Sequence, residues 1–126
     1  MRNRNLLPFL GVLLLTLYGC QEAPPKPLET PKPSSVVELS DTDFIEKTRQ
    51  GVVLLDAYAD WCEPCRWMEP HLEEAAEALQ GKVTVARIDV EANREFARYY
   101  KVEALPTLFV FVDGKVLESS PGARPA

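Results

Sequence analysis

The sequence predicts one α/β domain, at residues 36–126, built in three layers around a mixed β-sheet. Three observations predict it: a continuous apolar run typical of a buried strand, a long amphipathic helix directly after it, and an Asp-Gly turn between two apolar runs near the end. Strands and helices alternate until that hairpin. The parallel strands should therefore lie centrally and the hairpin at an antiparallel edge.

The domain begins with two short elements and one long strand. Val36 to Leu39 predict an edge strand, and Ser40 with Asp43 resembles a capping box that starts a helix over residues 41–50. Residues 52–59 are almost continuously apolar, which favours a central strand buried on both faces.

A long helix is predicted from Glu63 to Gln80, because apolar residues recur there at steps of three and four. Pro70 lies inside it and should kink it. Lys82 to Asp89 predict a strand, and Asn93 to Tyr100 a short helix.

The closing hairpin has the clearest turn signal. Its predicted strands run from Thr107 to Val112 and from Lys115 to Ser119, joined by Asp113-Gly114. We find no internal repeat in the sequence.

Residues 1–19 have the parts of a secretory signal: two arginines, an apolar run too short to span a bilayer comfortably, and a small residue at the end. The stretch Leu17-Tyr18-Gly19-Cys20 resembles a bacterial lipobox, in which the cysteine is lipidated. An ordinary signal peptide or an uncleaved anchor are the alternatives, and each also exports the domain. We expect a lipid anchor at Cys20 on the extracytoplasmic side of the bacterial envelope, in the periplasm or at the outer surface.

A proline-rich tether is predicted at residues 20–35, since five prolines alternate there with polar and charged residues. Extended at roughly 3 Å per residue, the tether would hold the domain up to about 45 Å from its lipid.

The formal net charge of the chain is −5, and its sequence has no basic stripe. Both features argue against a nucleic-acid partner.

Cys62 and Cys65 form a Cys-x-x-Cys where the central strand ends and the long helix begins. A thiolate is the nucleophile in disulfide exchange, and a helix N-terminus lowers the pKa of a thiol placed there. The second cysteine, one turn along, can attack a mixed disulfide and release the partner. A structural zinc site would need about four ligands, and the chain has no second pair.

With this motif, residues 36–123 resemble the thioredoxin family. The resemblance implies that Asp56 is the buried carboxylate that assists proton transfer at Cys65, and that Pro106 has a cis peptide bond beside the disulfide. It also implies a shallow substrate groove, made of Trp61, Glu63, Pro64, Leu105, Pro106 and Gly122. An Asp within an apolar strand is costly unless paired or protonated, which independently favours a functional role for Asp56.

The resemblance implies a thiol–disulfide oxidoreductase with no dissociable cofactor and no metal, acting on protein disulfides or thiols. Glu63-Pro64 resembles membrane-anchored relatives that reduce apocytochrome c, and the tether suggests a membrane electron donor. A carboxylate at Glu63 should slightly disfavour the Cys62 thiolate.

The alternative function, from another class of protein, is a non-catalytic lipoprotein whose domain binds partners and whose cysteines form a structural disulfide.

The family pattern also includes a C-terminal helix that covers one face of the sheet. We predict no such helix between the last strand and the last residue given, Ala126. Two explanations stay open: a chain that continues further, or an uncovered apolar patch, which often marks a partner site.

Overall fold

The computed structural model describes residues 33–122. The predicted signal peptide, Cys20 and most of the proline-rich tether lie outside the described residues, as do residues 123–126. Ser34 and Ser35, at the end of the predicted tether, both bond the Glu73 carboxylate, the Ser35 backbone N–H at 3.0 Å and Ser34 through its hydroxyl. The chain therefore contacts the domain just before its first strand.

A mixed five-stranded sheet forms the centre of the domain, as predicted. The strands are β1 (Val37–Leu39), β2 (Val52–Tyr58), β3 (Thr84–Asp89), β4 (Thr107–Val112) and β5 (Lys115–Pro121). Their order is β1-β3-β2-β4-β5, with β1, β3 and β2 parallel and β4 and β5 antiparallel to their neighbours. The long apolar strand β2 is thus central and buried on both faces.

Helices cover both faces of the sheet and complete the predicted three layers. They are α1 (Phe44–Thr48), α2 (Glu63–Ala78) and α3 (Arg94–Tyr99). Phe44 of α1 and Phe96 of α3 pack on one face, whereas Met68 and Leu72 of α2 pack on the other. Within residues 33–122, no helix is both long enough and apolar enough to cross a membrane.

The prediction for α1 was wrong at both ends, since the helix spans Phe44–Thr48 rather than residues 41–50. The Ser40 backbone N–H and hydroxyl both donate to the Asp43 carboxylate, at 2.7 and 2.9 Å. These hydrogen bonds lower the pKa of Asp43 and hold residues 40–43 in a turn before the helix starts. The capping box therefore closes a turn and delays the helix by one turn.

The face under α1 and α3 is an aromatic core. Phe96 lies edge-on to Phe44 and to Phe109, with ring centroids 5.2 and 5.6 Å apart. Tyr100 joins the cluster against Phe111, at 5.6 Å. Edge-to-face contacts of this kind add about 0.5–1.5 kcal/mol per pair to the burial of the rings.

The β4–β5 hairpin turns at Asp113-Gly114, as predicted. Both turn residues have positive φ, 48° and 82°, as a two-residue hairpin turn of this kind requires. The register shifts between Val110 and Phe111, so that Leu117 is the extra residue of a bulge. β5 continues two residues past its predicted end, to Pro121, where an edge strand tolerates a proline.

Candidate active site

The two cysteines lie where β2 leads into α2, as predicted. Cys62 is the N-cap of α2, and its Sγ accepts a hydrogen bond from the Cys65 backbone N–H at 3.2 Å. The two side chains form a disulfide, with Cα atoms 5.3 Å apart. Pro64 is in the first turn, where the missing N–H costs no helical hydrogen bond. The N-terminal end of a sixteen-residue helix therefore lies against the Cys62 sulfur.

Both cysteines are nearly covered, Cys62 at 4% exposure and Cys65 at 1%. They pack with Ala59 and, at the edge of the cluster, with Val90 and Leu105. The disulfide is therefore largely shielded from solvent.

The loop before β4 lies against this disulfide. The Leu105–Pro106 peptide bond is cis, which confirms the prediction, and Pro106 is fully buried. Gly122 lies beside the same loop, because its N–H donates to the Pro106 carbonyl at 2.7 Å. The structure therefore brings together Cys62, Leu105, Pro106 and Gly122, which are far apart in the sequence.

Around the buried cysteines, three of the predicted groove residues are exposed: Trp61, Glu63 and Pro64. Trp61 is 67% exposed, and its indole N–H donates to Glu91 Oε1 at 3.3 Å. Glu91 also pairs with Arg94 at 3.1 Å. Glu91 was not predicted from the sequence, because no local pattern indicates that the end of β3 lies beside Trp61.

Asp56 is fully buried on the side of β2 that faces α2, since Leu54 on the same side packs against that helix. Neither carboxylate oxygen has a hydrogen-bond partner among residues 33–122. Burial raises the pKa of Asp56 from its ordinary 3.8 to about 7. Arg87 lowers this pKa, while Glu69 and Glu38 raise it. Near neutral pH this group can both hold and release a proton.

Arg87 is the second residue that our sequence analysis missed. It is paired with Asp56 across β2 and β3 and bonds Glu69 Oε1 at 3.1 Å. The sequence contained a signal, because an arginine inside the apolar run of a predicted strand needs a partner as much as an aspartate does. A buried acid and a partly buried cation thus occupy matched positions on neighbouring strands.

No group of three or more potential ligands within residues 33–122 could hold a metal ion. His71 lies on the outer surface of α2, 4.0 Å from Glu74.

Comparisons with known proteins agree with this geometry. The sequence model of the Thioredoxin family matches residues 35–126. Thioredoxin of Bacillus subtilis (strain 168) is 42% identical over 91 residues, covering 72% of this chain and 88% of that protein. Thioredoxin of Staphylococcus aureus (strain Mu50 / ATCC 700699) is 40% identical with the same coverage. With its Cys62–Cys65 pair at the start of α2, this chain belongs to the thioredoxin family of thiol–disulfide oxidoreductases.

Proposed function

We propose that this chain is a lipid-anchored, extracytoplasmic reductase of protein disulfides. The observation that carries the redox part is the position of Cys62, whose sulfur accepts a backbone hydrogen bond at the N-terminus of α2. A negative charge on that sulfur is stabilised by the helix end, which makes the thiolate the favoured form after reduction.

In the first step, the Cys62 thiolate attacks one sulfur of a partner disulfide. A Cys62–partner disulfide forms, the partner's own disulfide breaks, and its second sulfur leaves as a thiolate that takes a proton from water. Cys65 is the more deeply buried of the two, at 1% exposure against 4%, and lies one turn inside α2, so Cys62 is the attacking residue.

In the second step, Cys65 attacks the Cys62 sulfur. The Cys65 thiol proton passes to the Asp56 carboxylate, the Cys62–Cys65 disulfide forms, and the partner's remaining sulfur leaves as a thiolate. The partner has then gained two electrons and this chain has lost two. The pKa of Asp56, about 7, suits a group that must accept a proton and later return it near neutral pH.

The groove that receives the partner would consist of the exposed Trp61, Glu63 and Pro64 on one side and Leu105, Pro106 and Gly122 on the other. Leu105 contacts the cysteine cluster and is only partly covered, so its backbone is placed to pair with an extended segment of the partner. Such pairing would hold the partner disulfide in line with the Cys62 sulfur.

The location and the partners rest on the sequence before the domain. The signal at residues 1–19, the lipobox at Cys20 and the tether at residues 20–35 support export and anchoring. We propose a membrane protein as the electron donor, and apocytochrome c among the substrates because of the Glu63-Pro64 pair.

Reduction of insulin disulfides by the purified full chain, with dithiothreitol as the electron source, tests the activity. We expect a clear rate enhancement that Cys62→Ser reduces to background. Cys20→Ser is the matched control, because it removes a cysteine outside the pair and should keep the full rate. No enhancement by the wild-type chain would instead favour the non-catalytic binding module.

Two further experiments test the partners and the anchor. Cys65→Ser should trap exported proteins as mixed disulfides in bacterial cells, and recovery of cytosolic proteins alone would contradict the proposed location. Labelling with a radioactive fatty acid should mark the wild-type chain and not Cys20→Ser. Equal labelling of both would exclude Cys20 as the lipidation site.

A further inference from the structure

A row of charged residues crosses three neighbouring strands beside Asp56. Glu38 of β1 is opposite Arg87 of β3, and Arg87 is opposite Asp56 of β2. Side chains at matched positions of adjacent strands lie on the same face of a sheet, about 5 Å apart. Arg87 is therefore the middle member of this row, with an acid on each side.

The Arg87 guanidinium is held by its other neighbours. Its Nη1 bonds Glu69 Oε1 of α2 at 3.1 Å, and its Nε is 3.7 Å from Glu38 Oε2. Its Cζ lies 3.6 Å from the centroid of the Tyr58 ring, and the Tyr58 hydroxyl donates to Glu38 at 2.7 Å. Two carboxylates and one aromatic face thus fix where the positive charge lies.

Asp56 receives no hydrogen bond from this arginine. Both Asp56 oxygens and the Arg87 Nε are buried without a hydrogen-bond partner within residues 33–122. The arginine therefore acts on Asp56 through its charge and not through a direct bond. The carboxylates of Glu38 and Glu69 and the guanidinium of Arg87 together carry one net negative charge. This cluster therefore offsets little of the cost of ionising Asp56.

We propose that Glu69 and Glu38 are positioning residues that draw the Arg87 charge away from Asp56, and so set the pH at which Asp56 can take the Cys65 proton. This inference rests on the proton role given to Asp56 in the proposed function. The charged groups that face Asp56 are Arg87 from β3, Glu38 from β1 and Glu69 from α2. From β4 the opposite residue is the apolar Leu108, and Cys65 titrates only after reduction.

The two kinds of substitution should act in opposite directions. Arg87→Gln leaves the Glu38 and Glu69 carboxylates without a positive partner and makes the ionisation of Asp56 harder. Glu69→Gln leaves the Glu38 carboxylate and the Arg87 guanidinium, which makes the ionisation of Asp56 easier. The Glu69 side chain is 47% exposed and lines a surface cleft with Arg87, so this variant should fold normally. Opposite shifts would not arise from a general loosening of the fold.

The test is a carbon-13 titration of the Asp56 carboxyl in the oxidised full chain, labelled on its aspartates. Asp56→Asn identifies the signal, and in the oxidised chain neither Cys62 nor Cys65 titrates. We expect Arg87→Gln to raise the midpoint by about one pH unit, and Glu69→Gln and Glu38→Gln each to lower it by about half a unit. Arg87→Lys, which keeps the charge, should return the midpoint towards the wild-type value.

Glu74→Gln is the matched control, because it removes the same charge from the same helix at a side chain 80% exposed. It should leave the midpoint unchanged. Shifts of the same sign in Arg87→Gln and Glu69→Gln, or no shift in either, would overturn the inference. If Arg87→Gln does not fold, an unchanged midpoint in both Glu69→Gln and Glu38→Gln would overturn it equally.

The pH dependence of the second chemical step separates this inference from the proposed function. In single-turnover reduction of insulin by the reduced chain, with Cys65 intact, we expect the rate profile of the second step to move with the Asp56 midpoint in each variant. If the carboxyl titration moves as expected and the rate profile stays fixed, the proton role of Asp56 fails while the positioning role stands.

Discussion

The two faces of the sheet in this domain have opposite compositions. The face under α1 and α3 is an aromatic and aliphatic core that includes Phe96, Phe109 and Phe111. The face under α2 carries the buried Asp56 and the partly buried Arg87, next to apolar residues such as Leu54 and Leu108. Because β2 and β3 contribute to both faces, alternate residues of one strand serve either stability or chemistry.

Polar groups also differ between the two faces in whether they are satisfied. Thr48, buried among the aromatic residues, donates to the Phe44 carbonyl at 2.8 Å. Asp56 on the other face has no such partner within residues 33–122, and its pKa is raised to about 7 by burial. The face under α1 and α3 therefore stabilises the fold. The face under α2 contains Asp56, a buried acid whose ionisation is unfavourable and which the proposed reaction uses.

The largest expected effect comes from breaking the aromatic face. Phe111 is fully buried, so Phe111→Ala should leave a cavity and cost about 3–5 kcal/mol of unfolding free energy. Urea unfolding of the oxidised protein measures this. The same variant should leave the Asp56 carboxyl midpoint within a few tenths of a pH unit of wild type, and a larger shift would contradict the separation of the faces.

The next effect is a pH dependence that only the α2 face should produce. Folding raises the pKa of Asp56 above its unfolded value, so the protonated group contributes stability fully below about pH 4. This contribution is lost as pH rises through about 7, and amounts to roughly 2–4 kcal/mol.

Asp56→Asn removes the titrating group and keeps its shape. Urea unfolding at several pH values should therefore show that the wild-type chain loses stability relative to Asp56→Asn between pH 4 and 8. A constant difference between the two proteins over this range would show that Asp56 is not a destabilised buried acid.

A smaller effect is expected from Thr48, a buried polar side chain of α1. Thr48→Val keeps the shape and loses the hydrogen bond to the Phe44 carbonyl, which should cost about 0.5–1.5 kcal/mol. The cost should be the same at pH 4 and pH 8, because no charge is involved. A cost that varied with pH would place an ionisable partner on this face.

The smallest effect concerns the entrance to the α2 face. Glu63 is in the first turn of α2, next to Cys62, so Glu63→Gln should favour the Cys62 thiolate and lower its alkylation midpoint by a few tenths of a pH unit. Glu74→Gln, an exposed carboxylate farther along the same helix, is the control. An unchanged or higher midpoint in Glu63→Gln would show that the Glu63 carboxylate does not disfavour the Cys62 thiolate.

Much of the fold could be predicted because its signals are local. The apolar run of β2 and the Asp113-Gly114 turn each specify an element from neighbouring residues alone. The cis bond at Pro106 and the burial of Asp56 came from the family resemblance, with the cost of a buried acid as independent support. The start of α1 was missed because Ser40 and Asp43 bond each other in a turn instead of capping the helix.

The cluster around Arg87 could not be predicted in the same way. Glu38, Asp56 and Arg87 meet only because β3 lies between β1 and β2, and Glu69 joins them from a helix packed above the sheet. Strand order is a long-range property that the local pattern of residues does not specify. The charge of Arg87 within an apolar strand was the one local sign of this arrangement.

The central claim is that the Cys62 sulfur ionises readily because α2 begins beside it, and its most direct test is the pH dependence of alkylation. The reduced Cys20→Ser chain should be treated with iodoacetamide from pH 5 to 10, with modification at Cys62 followed by mass spectrometry. We expect a midpoint clearly below that of a free cysteine, about 8.5. A midpoint at or above that value would contradict it.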